Sequence, residues 1–356
     1  MRGRDRRARP GRAIVWGEDP ACGGGIGGRS STLTDGRGLI FAYILDGRGG
    51  GREVGWDAVA SPPEGGGPLW AHLDRGADNA ERWLTEESGI DPVVCEALLA
   101  EETRPRVVRH GDGLLTILRG INLNPGADPE DIVSIRMWAD ARRLISLRRR
   151  HLMAIEDVRA EFAAGRGPAG PGDLFVAIIE QLSERMGRVL SDLNEAMDDL
   201  EEEVIEAESY TVHSRLGTLR RGAIAIKRYL APQREVLHRL QTERVEWIAD
   251  LHRVRLREAA DRITRYVEDL DATRDRAAVT QDELNSKLSE RMNKTMYVLS
   301  IIAAIFLPLG LITGLLGVNV GGIPWADSRA GFALVTAFLV ALAGGLVLLF
   351  KRLKWL

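Results

Sequence analysis

The chain has 356 residues, 48 Lys and Arg against 51 Asp and Glu, and a formal net charge of −3. This near balance removes any global case for a nucleic-acid partner. The two cysteines, Cys22 and Cys95, are too few and too far apart for a disulfide framework or a zinc-ligand pattern, which agrees with a reducing compartment.

Residues 1–36 are rich in Gly and Arg and poor in apolar side chains, which predicts a disordered tail. No apolar segment follows the arginines, so a secretory signal is not expected. Gly23, Gly25 and Gly28 satisfy the G-x-G-x-x-G spacing, but no strand precedes them and no helix follows. The context that would make them a dinucleotide site is missing.

Residues 37–172 read as a mixed α/β domain. Strands are expected at Leu39 to Leu45, Pro68 to Asp74, Leu114 to Leu118, Ile132 to Trp138 and Leu144 to Leu147, the last two joined by a turn at residues 139–142. Helices are expected at Asp78 to Glu87 and at Asp91 to Ala100, where Pro92 suits a first turn. A Gly/Pro break spans Gly165 to Gly172.

From Asp173, a candidate cap, apolar residues recur three or four apart at Leu174, Ile178, Leu182, Met186, Leu190, Leu193 and Met197, which predicts a helix. A second helix is expected from Ser209 to Asp250, kinked at Pro232. A third starts near Leu256, and no Pro or Gly interrupts it through Leu307. Residues 173–295 therefore form long cytosolic helices and a stalk.

Two uncharged runs follow, Met296 to Leu316 and Gly331 to Phe350, joined by a loop at 317–330. Each has the ~20 apolar residues that cross a hydrocarbon core. Arg291 and Lys294 precede the first run, and Lys351, Arg352 and Lys354 follow the second, so both termini, including the basic tail 351–356, are expected in the cytoplasm. Two spans enclose nothing, so a polar pathway needs several chains. The first run carries small residues, with Gly310 and Gly314 in a small-xxx-small pair, and suits an inner ring; packing and pore lining explain these glycines equally well.

Gly317-Val318-Asn319 closes this first span, and Gly321-Gly322-Ile323-Pro324 follows. With Asn293-Lys294-Thr295-Met296-Tyr297, Phe306-Leu307-Pro308, Ala231-Pro232-Gln233-Arg234 and Lys354-Trp355-Leu356, these residues make the chain resemble the CorA metal-ion transporter superfamily, in particular its ZntB zinc-transporter branch. The resemblance covers roughly residues 37–356. It implies an α+β cytosolic domain, a long helical stalk, two C-terminal transmembrane helices and a funnel-shaped homopentamer in the cytoplasmic membrane. By the same resemblance Gly317, Val318 and Asn319 form the selectivity mouth. Met296, Leu299, Leu307 and Gly310 line the axis, and Asn293 marks its cytosolic approach. Val318 replaces the Met of the magnesium branch, Leu316 its aromatic residue, and Gly310 a frequent Thr.

Neither span holds Asp, Glu, His, Cys, Lys or Arg. A ring of Asn319 amides would offer carbonyl oxygens to a hydrated ion, because divalent cations part with water reluctantly. Zinc held directly would want imidazole or thiolate. If protons drive uptake, they must travel with water or act on the cytosolic domain.

Asp198, Asp199, Glu201, Glu202 and Glu203 crowd one helix end and read as a cation-attracting cluster, as a solvated face, or as partners for the basic second helix, which carries Arg215, Arg220 and Lys227. No His/Cys/Asp pair has metal-site spacing on the helices and no catalytic motif is present, so neither an enzyme nor a resident cofactor is expected. The expected function is zinc uptake. The alternatives are a magnesium or cobalt channel and a non-conducting membrane-anchored scaffold or sensor.

Overall fold

The structure, a computed structural model, describes residues 38–63, 65–101, 104–124, 126–127, 131–206, 210–317 and 330–353. The tail with its glycine motif, and Val318 and Asn319, lie outside the described residues. The chain divides into two compact units, the first ending at Thr280 and the second beginning at Gln281.

The first unit is built on a seven-stranded sheet. Its strands are β1 (Leu39–Leu45), β2 (Gly51–Val54), β3 (Leu69–Asp74), β4 (Arg106–His110), β5 (Gly113–Gly120), β6 (Val133–Ala139) and β7 (Arg143–Arg148), in the order β2-β1-β3-β7-β6-β5-β4. Every neighbouring pair is antiparallel except β3 and β7, whose parallel register sets Trp70 beside Leu144 and His72 beside Ser146. The β6–β7 turn forms where expected. Asp140 Oδ1 accepts the backbone N–H groups of Arg142 (2.9 Å) and Arg143 (3.0 Å), the local closure that makes Asp a turn residue.

Helices α1 (Trp56–Ala60), α2 (Asp78–Arg82, continued by a π turn at Trp83–Glu87) and α3 (Pro92–Leu99) cover one sheet face. Leu69, Ala71, Leu73, Ile117, Ile145 and Leu147 bury there against Leu84, Val94 and Leu98. Asp91 caps α3 by accepting the Val93 N–H at 2.8 Å, with Pro92 in the first turn. The opposite face receives α4 (Met153–Ala163) and α5 (Pro171–Glu206). Phe162 of α4 meets the Trp70 ring at 5.6 Å, and Gly120 leaves room for Leu182 of α5.

Three further helices follow, α6 (Tyr210–Thr242), α7 (Asp250–Leu316) and α8 (Gly331–Arg352). Two expectations need correction. The second helix stops at Thr242, and Asp250, expected at its end, begins α7. Asp173 is not a cap, since α5 already begins at Pro171; its carboxylate turns instead to α7, where Oδ1 accepts from His252 Nε2 at 2.9 Å. His252 Nδ1 accepts the Ala249 N–H at 3.1 Å, so one imidazole satisfies an orphan donor at the start of α7 and ties it to α5.

Candidate ion pathway on the long helix

Within the first unit α7 has two unlike sides. Leu256, Ala260, Ile263, Val267, Leu270 and Ala277 recur three, four or seven apart and are buried. Polar bonds flank this seam. Arg255 grips Glu180 of α5 (Nε–Oε1 3.0 Å), Thr273 Oγ1 donates to Asn194 Oδ1 at 2.5 Å, and Lys227 of α6 holds Asp271 at 2.5 Å. That ammonium keeps the Asp271 carboxyl below its ordinary range.

The other side is exposed and strictly spaced. Val254, Glu258, Asp261, Arg265, Glu268, Ala272, Asp275 and Val279 lie alternately four and three residues apart, and each is exposed. In the second unit the same alternation gives Asp282, Ser286, Ser289, Asn293, Met296, Ser300, Ala303, Leu307, Gly310, Gly314 and Gly317, again all exposed. A 3.5-residue repeat keeps one face of a helix turned toward a partner. The apolar members have no cover among the described residues, with Val279 at 68%, Met296 at 63% and Leu307 at 72% exposure. In a water-soluble monomer such a stripe would be costly, and it marks a surface meant for contact or lipid.

The stripe is chemically divided. Up to Asp282 it carries five carboxylates (Glu258, Asp261, Glu268, Asp275 and Asp282) and one cation, Arg265. From Ser286 to Gly317 it carries no charge. In this uncharged part Ser300 Oγ donates to the Met296 carbonyl (2.8 Å), and beside it Thr313 Oγ1 donates to the Leu309 carbonyl (3.0 Å). The hydroxyl protons are used by the helix itself, as apolar surroundings favour, and the oxygens keep lone pairs to offer.

Of the residues singled out from sequence, Asn293, Met296, Leu307, Gly310 and Gly317 fall on this stripe. Leu299 stands beside it, three residues from Met296. The carboxylates in its N-terminal part escaped the sequence reading, although the four-three alternation that reveals them is present in the sequence from Val254 onward.

The acidic end of α5 is largely tied down. Arg276 of α7 donates to Glu201 (Nη2–Oε2 2.6 Å, Nε–Oε1 3.0 Å) and to Asp198 (2.5 Å), and Arg215 of α6 pairs with Glu203. The two carboxylates raise the Arg276 pKa further above its already high ordinary value. Asp199 and Glu202 remain exposed. Among the described residues no group of three or more His, Cys, Asp or Glu side chains is placed to hold a metal.

Helices α7 and α8 each contain a stretch long and apolar enough to cross a bilayer. The family model described as CorA-like Mg2+ transporter protein matches residues 65–352. The chain is 43% identical over 329 residues to the divalent cation transporter CmaX of Pseudomonas aeruginosa, covering 90% of this chain and 98% of that one. It is 39% identical over 319 residues to the zinc transport protein ZntB of Pectobacterium carotovorum subsp. carotovorum, covering 90% and 96%. The solved structure of full-length CmaX superposes with a TM-score of 0.77 at 42% identity, over 90% of this chain and 98% of that one. The chain belongs to the CorA-like transporter family.

Proposed function

We propose that this CorA-like transporter assembles as a homopentamer in the cytoplasmic membrane and moves zinc inward along an axis lined by the exposed stripe of α7. The observation that carries this reading is the stripe itself. It is a single four-three repeat, acidic at its cytosolic end, uncharged through the apolar span, and without cover among the described residues. Brought around a common axis, it gives each part a role.

Asn319 and its copies form a neutral amide ring at the outer mouth. Such a ring holds the water shell of a divalent ion without stripping it, because full dehydration is expensive. Met296 and Leu307 form apolar constrictions, which gate by losing water, and Leu299 supports them from the edge. The stripe positions from Ser286 to Gly317 carry no thiolate, imidazole or carboxylate, which avoids a tight site that would trap the ion. Below them the carboxylates of the stripe, together with exposed Asp199 and Glu202 on α5, draw the emerging cation toward the cytosol. Zinc as cargo is supported by the likeness to proteins named for zinc transport. Both termini lie in the cytoplasm, on the side of the Lys and Arg excess.

A second reading, a magnesium or cobalt channel, is favoured by the description of the matching family model. A neutral, water-tolerant lining discriminates weakly among divalent ions. Liposomes holding the purified protein and an internal metal indicator decide between the two. Zn²⁺ entry that Asn319→Ala abolishes supports zinc transport. Mg²⁺ entry without Zn²⁺ supports the second reading, and no entry of any divalent ion leaves only a scaffold. The same vesicles with and without a pH gradient show whether protons drive the flux.

A further inference from the structure

A groove of about 460 Å³ runs along a different side of α7, at the start of its apolar span, lined by Arg291, Lys294, Thr295, Val298, Leu299 and Ile302. Arg291, Thr295, Val298 and Ile302 repeat the four-three spacing, and each helical step turns about 100°, so Thr295 stands roughly that far round the helix from Met296 of the ion stripe. Only Leu299 borders both. The groove is therefore a separate surface.

Its chemistry is graded along its length. Two cations and a hydroxyl stand at the end nearest the aqueous segment, and three branched aliphatic side chains follow toward the span. None of the six lining residues is acidic. A soluble anion would use only the first half of this surface, and an apolar peptide only the second. An amphiphile with a negatively charged head and a hydrocarbon tail uses both. Basic side chains beside a span attract anionic lipid, and buried methylenes add the rest of the affinity.

We infer that this groove binds one anionic phospholipid of the cytoplasmic leaflet, its phosphate on Lys294, Arg291 and Thr295 and an acyl chain along Val298 and Ile302. The inference rests on the reading of the uncharged run from Met296 as a membrane span and is independent of which ion the protein carries. A zwitterionic lipid is disfavoured because its own ammonium group competes for its phosphate.

The test uses full-length protein, delipidated in detergent and titrated with phosphatidylglycerol, with phosphatidylcholine of the same acyl chains, and with glycerol 3-phosphate, bound lipid being counted by native mass spectrometry. Retention of phosphatidylglycerol at least tenfold above phosphatidylcholine, with no retention of glycerol 3-phosphate, is expected. Lys294→Gln should lower that retention by about tenfold and Lys294→Arg should restore it. Equal retention of the two lipids, or unchanged retention in Lys294→Gln, overturns the inference. Retention of glycerol 3-phosphate makes the surface a soluble-anion site and also overturns it. If Lys294→Gln cannot be purified, a photoactivatable phosphatidylglycerol on the unaltered protein decides, since its crosslinks must fall within residues 291–302, and crosslinks confined elsewhere refute the assignment.

Discussion

Arg276 on α7 and Glu201 on α5 meet through two parallel bonds, Nη2–Oε2 at 2.6 Å and Nε–Oε1 at 3.0 Å. This planar fork-to-carboxylate match is the geometry for which Arg is suited and Lys is not. It ties the acidic end of α5 to the helix that carries the exposed stripe. On the stripe, Asp275 is likewise answered by Arg274 (Nη2–Oδ1 2.7 Å), whereas Asp282 faces solvent.

That contrast predicts unequal effects on transport. Glu201→Gln and Asp198→Asn should change the zinc concentration for half-maximal uptake by less than twofold, because their charge is compensated. Asp282→Asn, on the stripe, should raise it severalfold, and more at low ionic strength than at high, as expected for steering by exposed charge. Equal effects at the two places would remove the stripe from the pathway.

Arg276→Ala should loosen the α5–α7 seam. The pair is partly open to water, at 38% and 36% side-chain exposure, so solvent screening holds the loss to about 1 kcal/mol. A small drop in melting temperature, with Arg276→Lys recovering only part of it, is the expected result.

Leu307→Ser should speed passive entry of divalent ions. An apolar ring excludes water at a constriction, and a hydroxyl there lowers the cost of wetting it. Stopped-flow indicator traces from vesicles measure this directly. A slower or unchanged leak places Leu307 in helix packing and away from the aperture.

His72 predicts a pH dependence. It is fully buried, its Nδ1 lies 2.8 Å from Ser146 Oγ, its ring stacks on Phe41 at 5.0 Å, and Nε2 has no partner among the described residues. Burial pushes its pKa well below the ordinary histidine range, with nearby Arg148 adding to the effect. The unfolded chain therefore takes up a proton that the folded chain refuses. Stability is complete above about pH 6.5, the unfolded value, and falls as pH drops below it, by at most ~1.4 kcal/mol per pH unit for this one group. Thermal melts of His72→Phe between pH 5 and 7.5 should show a shallower acid loss than the parent.

Gly113 is fixed by its neighbour. A Cβ there would fall 2.2 Å from Cζ2 of Trp138, whose indole is buried and donates to Asp140 Oδ2 at 3.2 Å. Gly113→Ala must displace the ring, and overpacking of this kind costs about 1–3 kcal/mol. The melting temperature should fall while uptake per folded molecule is retained.

Much of this architecture is written in local pattern. The apolar run of Leu39–Leu45, the alternation from Val133 to Met137, the Asp91–Pro92 start of α3 and the uncharged runs of the two spans all report their own structure. What was hidden depends on distant partners. Strand β2, Gly-Arg-Glu-Val, and strand β4, Arg-Val-Val-Arg-His, are largely exposed and lack a buried alternate face, so only pairing with β1 and β5 makes them strands. The break between α6 and α7 has no Gly or Pro. It is held by Arg109 donating to the Arg244 carbonyl and by Trp247 Nε1 donating to the Asp112 carbonyl, contacts that no sequence window contains. At the candidate site, the uncharged half was readable because an uninterrupted apolar run stands out. The acidic half was obscured because isolated carboxylates among many charges declare themselves only when counted at 3.5-residue intervals.

That interval has a mechanical consequence. A row spaced 3.5 residues apart slips about 20° around a 3.6-residue helix with every heptad. From Val254 to Gly317 the accumulated slip is roughly half a revolution. Helices that kept the whole row turned toward one another would have to wind left-handed about one another.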